Sequence, residues 1–205
     1  MTEDELIIKF KRNIPDSLLK EEKAPFIVIA FIGLTGVGKT TLAYLLSKHL
    51  KLPVFSHDQA RTFMEKHGFS SSDRDLVERL NYERIIYCVT HKISHIIDGD
   101  ILSYYQDVKT LIESYNGTLY LINVVCPENI VHERLEAREK DINRQIKCKF
   151  CSKAGWDFYL KRRKLHLQAE YPENFFFTVD SSKDIQNQIK RLVFKIKRHN
   201  YILHT

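Results

Sequence analysis

The segment Gly33-Leu34-Thr35-Gly36-Val37-Gly38-Lys39-Thr40 satisfies the pattern G-x4-G-K-[ST] in full, and no other stretch of the chain restricts its fold as strongly. Just before it, Phe26 to Ile32 (FIVIAFI) is a continuous apolar run, as expected of a strand buried on both faces. Just after it, Thr41 to Leu50 reads as a helix. A strand, a glycine-rich turn and a helix start are the context such a motif needs. The glycines permit a backbone wrap whose N–H groups point inward at phosphate oxygens, and the helix start adds about half a positive charge there. On this reading Gly33, Thr35, Gly36, Val37, Gly38, Lys39, Thr40 and Thr41 hold a nucleoside triphosphate, expected to be ATP with Mg²⁺. Lys39 would reach the β and γ phosphates, and the Thr40 hydroxyl would ligate the metal.

The rest of the chain repeats the strand and helix alternation. Strands are expected at 54–56, 93–98, 118–126 and 175–179. Helices are expected over 59–68, 73–96, 104–115, 127–140, 156–170 and 183–197, the second running into the strand that follows it. Five buried strands alternating with helices predict an α/β domain with a parallel sheet, right-handed crossovers and helices on both faces. Ligands on such a sheet bind beyond the carboxyl ends of the strands. Residues 1–24 read as an N-terminal extension and 25–205 as a single domain, with a polar irregular stretch at 141–155.

Several classes are set aside by composition. No run of about 18 apolar residues is present, so no membrane span is expected. The acidic start is unlike a secretory signal, and the cytoplasm is the expected compartment. Of four cysteines only Cys148 and Cys151 form a CxxC pair, half of a structural zinc site, and they are read as incidental. The formal charge of +6 suits an anionic ligand, whether ATP or nucleic acid. Much of the excess lies at Lys190, Arg191, Lys195, Lys197 and Arg198, read as a solvated helix face in preference to a nucleic-acid contact.

The remaining candidate residues follow strands. Asp98, after Ile96-Ile97, is placed to hold Mg²⁺ through water; the alternative is a cap for the next segment. Gly99 stands where many hydrolytic P-loop motors carry a water-activating glutamate, and no NKxD or DxxG segment of the GTPase kind occurs. Transfer of a phosphoryl group to a bound acceptor is then the leading reaction. It needs a proton acceptor and cations. Asp58 is a candidate general base, or else a helix cap, and Arg61 three residues on could hold the acceptor. Arg134 and Arg138, four residues apart, and Arg144 beyond them are candidate phosphoryl-stabilising cations; pairing with Glu133, Glu136 and Glu139 is the alternative.

Together these residues resemble the small ATP-binding P-loop kinases with AAA-type domains, a group that includes polynucleotide kinase, zeta toxin and chloramphenicol phosphotransferase. The resemblance spans about residues 26–196. It rests on the Walker segment, on Ser56, Asp58 and Arg61 in a Ser-x-Asp-x-x-Arg element, and on Ile96-Ile97-Asp98. It also rests on Cys126-Pro127-Glu128 followed by Arg134-Leu135 and Arg138, similar to the group's lid element. The resemblance implies a P-loop NTPase three-layer sandwich of sheet order 2-3-1-4-5, with Asp58 as base, Arg61 on the acceptor, and lid arginines on the phosphoryl. Asp100 departs from the group's pattern, because an added acid there would not favour an incoming phosphate, and this implies a different acceptor site.

The expected activity is a kinase acting on a hydroxyl of a small molecule such as a nucleoside, sugar or antibiotic. A polynucleotide 5′-hydroxyl kinase and a non-catalytic nucleotide-binding regulator are the alternatives. Nucleic acid is not favoured, since no basic-aromatic platform for stacking bases is evident in the sequence. Phe63, His67, Phe69, Arg74, Tyr104 and Tyr105 are expected around the acceptor pocket. The acceptor itself and the oligomeric state are not readable from the residues.

Overall fold

Alternation of side chains along one central strand sets up two cores. In β1 (Ile27–Ile32) the side chains of Val28, Ala30 and Ile32 face one side of the sheet, and those of Ile29 and Phe31 face the other. Both sets are buried, which is why this strand reads as an unbroken apolar run. The computed structural model describes residues 1–15, 18, 26–141 and 155–204, with the backbone alone for 201–204.

In chain order, α1 (Glu3–Lys11) precedes β1 and α2 (Lys39–Leu50) follows it; then come β2 (Val54–Ser56), α3 (His57–Lys66) and α4 (Arg74–Thr90). The chain continues through β3 (His95–Asp100), α5 (Tyr105–Ser114), β4 (Thr118–Val125) and α6 (Glu128–Lys140). It closes with α7 (Trp156–Gln168), β5 (Phe177–Asp180) and α8 (Ile185–His204). The strands form one parallel sheet of order β2-β3-β1-β4-β5, the order the resemblance implies.

On one face of the sheet, Leu42, Ala43 and Leu46 of α2, Val131 and Leu135 of α6, Tyr159 of α7 and Ile189, Leu192, Val193 and Ile196 of α8 are buried together. On the other face, Ile85 and Val89 of α4 meet Val108 and Ile112 of α5 over Val28, Ala30 and Ile97. Two features go beyond the sequence reading. The segment treated as an extension carries α1, whose Leu6, Ile7 and Phe10 are buried against Ala60, Phe63, Met64, Leu76, Val77 and Leu80. And the third strand does not stop at Asp98: Asp98 pairs with Ser56 in parallel register, and the strand runs on to Asp100. Arg144, Cys148 and Cys151 lie outside the described residues.

Candidate active site

The turn after β1 ends at Gly38, which caps α2 with φ 102°, a left-handed conformation that favours glycine. No side chain caps the helix, and its first turn contains no acid. Its first backbone N–H groups therefore face the loop as an anion site, in line with the general behaviour of helix starts. Lys39 Nζ donates to the carbonyls of Gly33 at 2.6 Å and Leu34 at 2.9 Å, so its ammonium lies over its own loop. Burial lowers its pKa, and Arg162 and Arg138 act in the same direction, while Asp100 and Asp98 oppose them. Arg138, on α6, is near enough to act on the charge of Lys39. Val131 and Leu135 anchor that helix beside Val37.

The Thr40 hydroxyl donates to Asp98 Oδ1 at 3.0 Å. Asp98 lies inside β3, so it does not cap the next segment. Burial raises its pKa, partly offset by the Thr40 bond and by Lys39. One hydroxyl and one carboxylate side by side are a suitable donor set for Mg²⁺, which takes one or two protein oxygens and completes its shell with water and phosphate. Among the described residues no group of three or more His, Cys, Asp or Glu forms a dedicated metal cage.

Asp58 stands at the start of α3. The helix is capped by Ser56, whose hydroxyl accepts from the Asp58 N–H at 3.1 Å while Gln59 Oε1 accepts from the Ser56 N–H. The cap reading of Asp58 therefore fails. Burial raises the Asp58 pKa, and the nearby Arg61 works against this. Asp58 also helps to raise Asp98; it follows Ser56, the register partner of Asp98, by two residues, so the two carboxylates are neighbours at the ends of β2 and β3. Arg61 Nη1 donates to the Ser71 carbonyl at 2.5 Å, which holds its guanidinium on the segment between α3 and α4.

Arg134 is held on the other side of the loop. It donates to Ser181 Oγ at 2.9 Å and to the Ser181 carbonyl at 2.8 Å, with Cys126 Sγ at 3.4 Å. A Cβ built on Gly38 would come 3.4 Å from Ser181 and 3.9 Å from the Arg134 guanidinium, so both line the P-loop. Pairing of Arg134 with the acids of its own helix is therefore not its main contact.

Asp100 was noted in the sequence, but the residues that partner it were missed. Asp100 accepts from Arg162 Nη2 at 3.1 Å and from His166 Nε2 at 2.6 Å. Burial tends to raise its pKa, but His166, Lys39 and Arg162 together hold it below the ordinary value. The added acid is thus matched by two partners. Arg162 and His166 are four residues apart on α7, a spacing visible in the sequence, but nothing there aims that face at β3. His166 Nδ1 lies 2.7 Å from the Tyr171 hydroxyl. Tyr171 in turn lines a groove of about 710 Å³ beside α5, together with Tyr105, Lys109, Glu113, Leu119 and Phe176, away from the P-loop.

Gly99 is needed for a steric reason: a Cβ there would lie 2.7 Å from His57 Nε2. The His57 ring also contacts the Tyr104 hydroxyl at 3.1 Å, and burial, then Arg84, pushes its pKa down to about 4. Arg84 is buried and donates to the Ser56 carbonyl at 2.9 Å, to Gln59 Oε1 at 2.8 Å and to Asn81 Oδ1 at 2.9 Å. Its guanidinium lies 4.8 Å from the Phe10 ring centroid and 5.0 Å from that of Phe55. Of the expected pocket residues, Phe63 is taken up by the α1 core and lies tilted against His67, and Arg74 pairs with Glu78 on the surface.

Comparison with known proteins fits this geometry. A UPF0200 protein of Pyrobaculum aerophilum is 30% identical over 117 residues, covering 54% of this chain and 66% of that protein. The chain thus spans just under two thirds of the length of that curated relative. A sugar kinase from Janibacter sp. superposes with TM-score 0.56 at 18% identity, over 84% of this chain and 95% of that one. The APS kinase of Mycobacterium tuberculosis, solved with AMPPNP and APS, gives TM-score 0.55 at 15% identity over 85% and 99%. At such identities the likeness establishes the fold. No helix among the described residues is long and apolar enough to cross a membrane. The AAA domain family model matches residues 29–150, more than half of the sequence, and the chain belongs to that family.

Proposed function

We propose that the protein is an ATP-dependent kinase that transfers the γ-phosphoryl group to a hydroxyl of a small molecule such as a nucleoside, sugar or antibiotic. The observation that carries this reading is the closeness of Asp58 and Asp98 at the ends of β2 and β3. An acid whose pKa is raised by burial stands beside the Thr40–Asp98 pair and across from Lys39. A switch needs no such acid, and a hydrolase would need a water-activating side chain where Gly99 leaves no room.

In this mechanism the α2 start and Lys39 bind the phosphate chain, with Lys39 giving up its carbonyl contacts for phosphate oxygens. Thr40 and Asp98 would hold Mg²⁺, which supplies charge neutralisation on the phosphates when bound. Asp58 takes the proton from the acceptor hydroxyl as oxygen attacks the γ-phosphorus and the bond to the β–γ bridging oxygen breaks. Arg138 and Arg162 offset the charge on the transferred group, and Arg134 steadies the loop from Ser181. Arg61, three residues from Asp58 on α3, would leave the Ser71 carbonyl to hold the acceptor.

The test is transfer of label from γ-labelled ATP·Mg²⁺ to a pooled panel of nucleosides, sugars, aminoglycosides, amphenicols and 5′-hydroxyl oligonucleotides. Label on a small molecule that disappears with Asp58→Ala supports the proposal. Label confined to oligonucleotides, or turnover indifferent to Asp58→Ala, overturns it.

A further inference from the structure

The charge of this protein is not spread evenly. Helices α2 and α8 contain seven of the 32 Lys and Arg residues and none of the 26 Asp and Glu residues. With Lys39 committed to the P-loop, six cations remain: Lys48, Lys190, Arg191, Lys195, Lys197 and Arg198, all exposed. That number equals the formal excess of the whole chain, +6, so the charges of all other residues sum to zero. The two helices are neighbours, since Leu42, Ala43 and Leu46 are buried in one cluster with Ile189, Leu192, Val193 and Ile196. Their outer faces therefore form one acid-free surface.

Aromatic rings stand on that surface. Phe194 is 66% exposed, and Lys190 and Lys197, four residues before it and three after, share its helix face. Tyr44 on α2 is 51% exposed. An exposed phenylalanine costs solubility and contributes nothing to the core, which α8 supplies from its opposite face. A ring framed by cations is the arrangement that binds a polyanion with stackable bases: the cations take phosphates and the ring takes a base.

We propose that the outer face of α2 and α8 docks single-stranded nucleic acid, with Lys190, Lys197 and Arg198 on phosphates and Phe194 stacked on a base. This takes up the alternative to the sequence reading, in which α8 is a solvated face in preference to a nucleic-acid contact. The proposal does not depend on the kinase reading, because the surface lies on the outside of the helical layer and uses none of the P-loop residues. An anionic membrane is the less suitable partner. A helix that lies in a bilayer inserts an apolar face, and α8 has already buried its apolar face against the sheet.

The test uses the full chain and fluorescence anisotropy of labelled single-stranded DNA and RNA of about 20 nucleotides at about 50 mM salt. Binding is expected, with log K falling against log salt at a slope near −2, or about 0.7 for each of three phosphates. Phe194→Ala is expected to weaken binding about tenfold, and Lys190→Glu/Lys197→Glu by more than that, while binding of a fluorescent ATP analogue is unchanged. Three results overturn the proposal: no oligonucleotide binding, binding that both variants retain in full, or recruitment to phosphatidylserine vesicles without oligonucleotide binding. ATP-analogue binding by the variants shows that they are folded, so a loss is not a folding failure. Phosphoryl transfer in the panel assay can fail without touching this result.

Discussion

The Thr40 hydroxyl and the Asp98 carboxylate, 58 residues apart in sequence, are joined by a 3.0 Å hydrogen bond across the mouth of the P-loop. Each is the other's partner until a divalent cation takes both. Asp98→Asn and Thr40→Ala should therefore each reduce Mg²⁺-dependent phosphoryl transfer by about 100-fold or more, since stabilisation of transition-state charge is worth several kcal/mol. Both variants should melt close to the wild type. Steady-state rates at increasing Mg²⁺ check this, and full activity in Asp98→Asn at ordinary Mg²⁺ would remove the carboxylate from the metal site.

Asp58 acts as a base only when ionised. Burial raises its pKa above 3.8, so the rate should fall on the acid side at a pH higher than an ordinary aspartate would give. Asp58→Asn should lower kcat by about 10² to 10⁴ with the KM for ATP little changed, and should flatten that acidic limb. A pH–rate profile of both proteins decides the matter. An acidic limb that persists in Asp58→Asn belongs to another group.

At Gly99 the expected effect is steric. A methyl group there meets the His57 ring, so Gly99→Ala should cost about 1–3 kcal/mol. Thermal melts should show the loss, and His57→Ala in the same chain should restore part of it. If Gly99→Ala alone melts like the wild type, the ring moves freely and the packing argument is wrong.

His95 is buried, with Nδ1 on the Ile93 carbonyl at 2.8 Å and no hydrogen-bond partner on Nε2. Burial lowers its pKa from 6.5 to about 4; the Ile93 bond opposes this and Arg84 adds to it. Between those values the unfolded chain takes up a proton that the folded chain refuses. Stability should therefore be full above pH 6.5 and fall as pH drops toward 4, by up to about 3 kcal/mol from this one ring. Denaturant midpoints across that range measure it, and His95→Leu should show a shallower fall.

How much of this was legible in the sequence depends on distance along the chain. The P-loop is one contiguous segment whose strand and helix neighbours adjoin it, so both the fold class and the phosphate site could be read from the residues. The end of β3 could not. Asp98 was expected to close the strand because the apolar run stops there, but pairing with Ser56 carries the backbone two residues further, and pairing is a long-range property. The same holds for Asp100, whose partners Arg162 and His166 come from a helix more than 60 residues away. Phe194 was visible as a residue, but its exposure depends on which face of α8 the sheet takes. Ser56 and Asp58 were both noticed, yet only backbone geometry decides which of two neighbouring oxygens caps a helix.

Arg84 links the first helix of the chain to the acid proposed to start the chemistry. Phe10 lies under the guanidinium that holds the Ser56 carbonyl, and Ser56 sets where α3, and with it Asp58, begins. The opening residues thus act as the remote abutment of an arch whose keystone is Ser56. An insertion or fusion that shifts α1 by an ångström would be felt first as misaligned proton transfer, in a molecule whose sheet and P-loop remain intact.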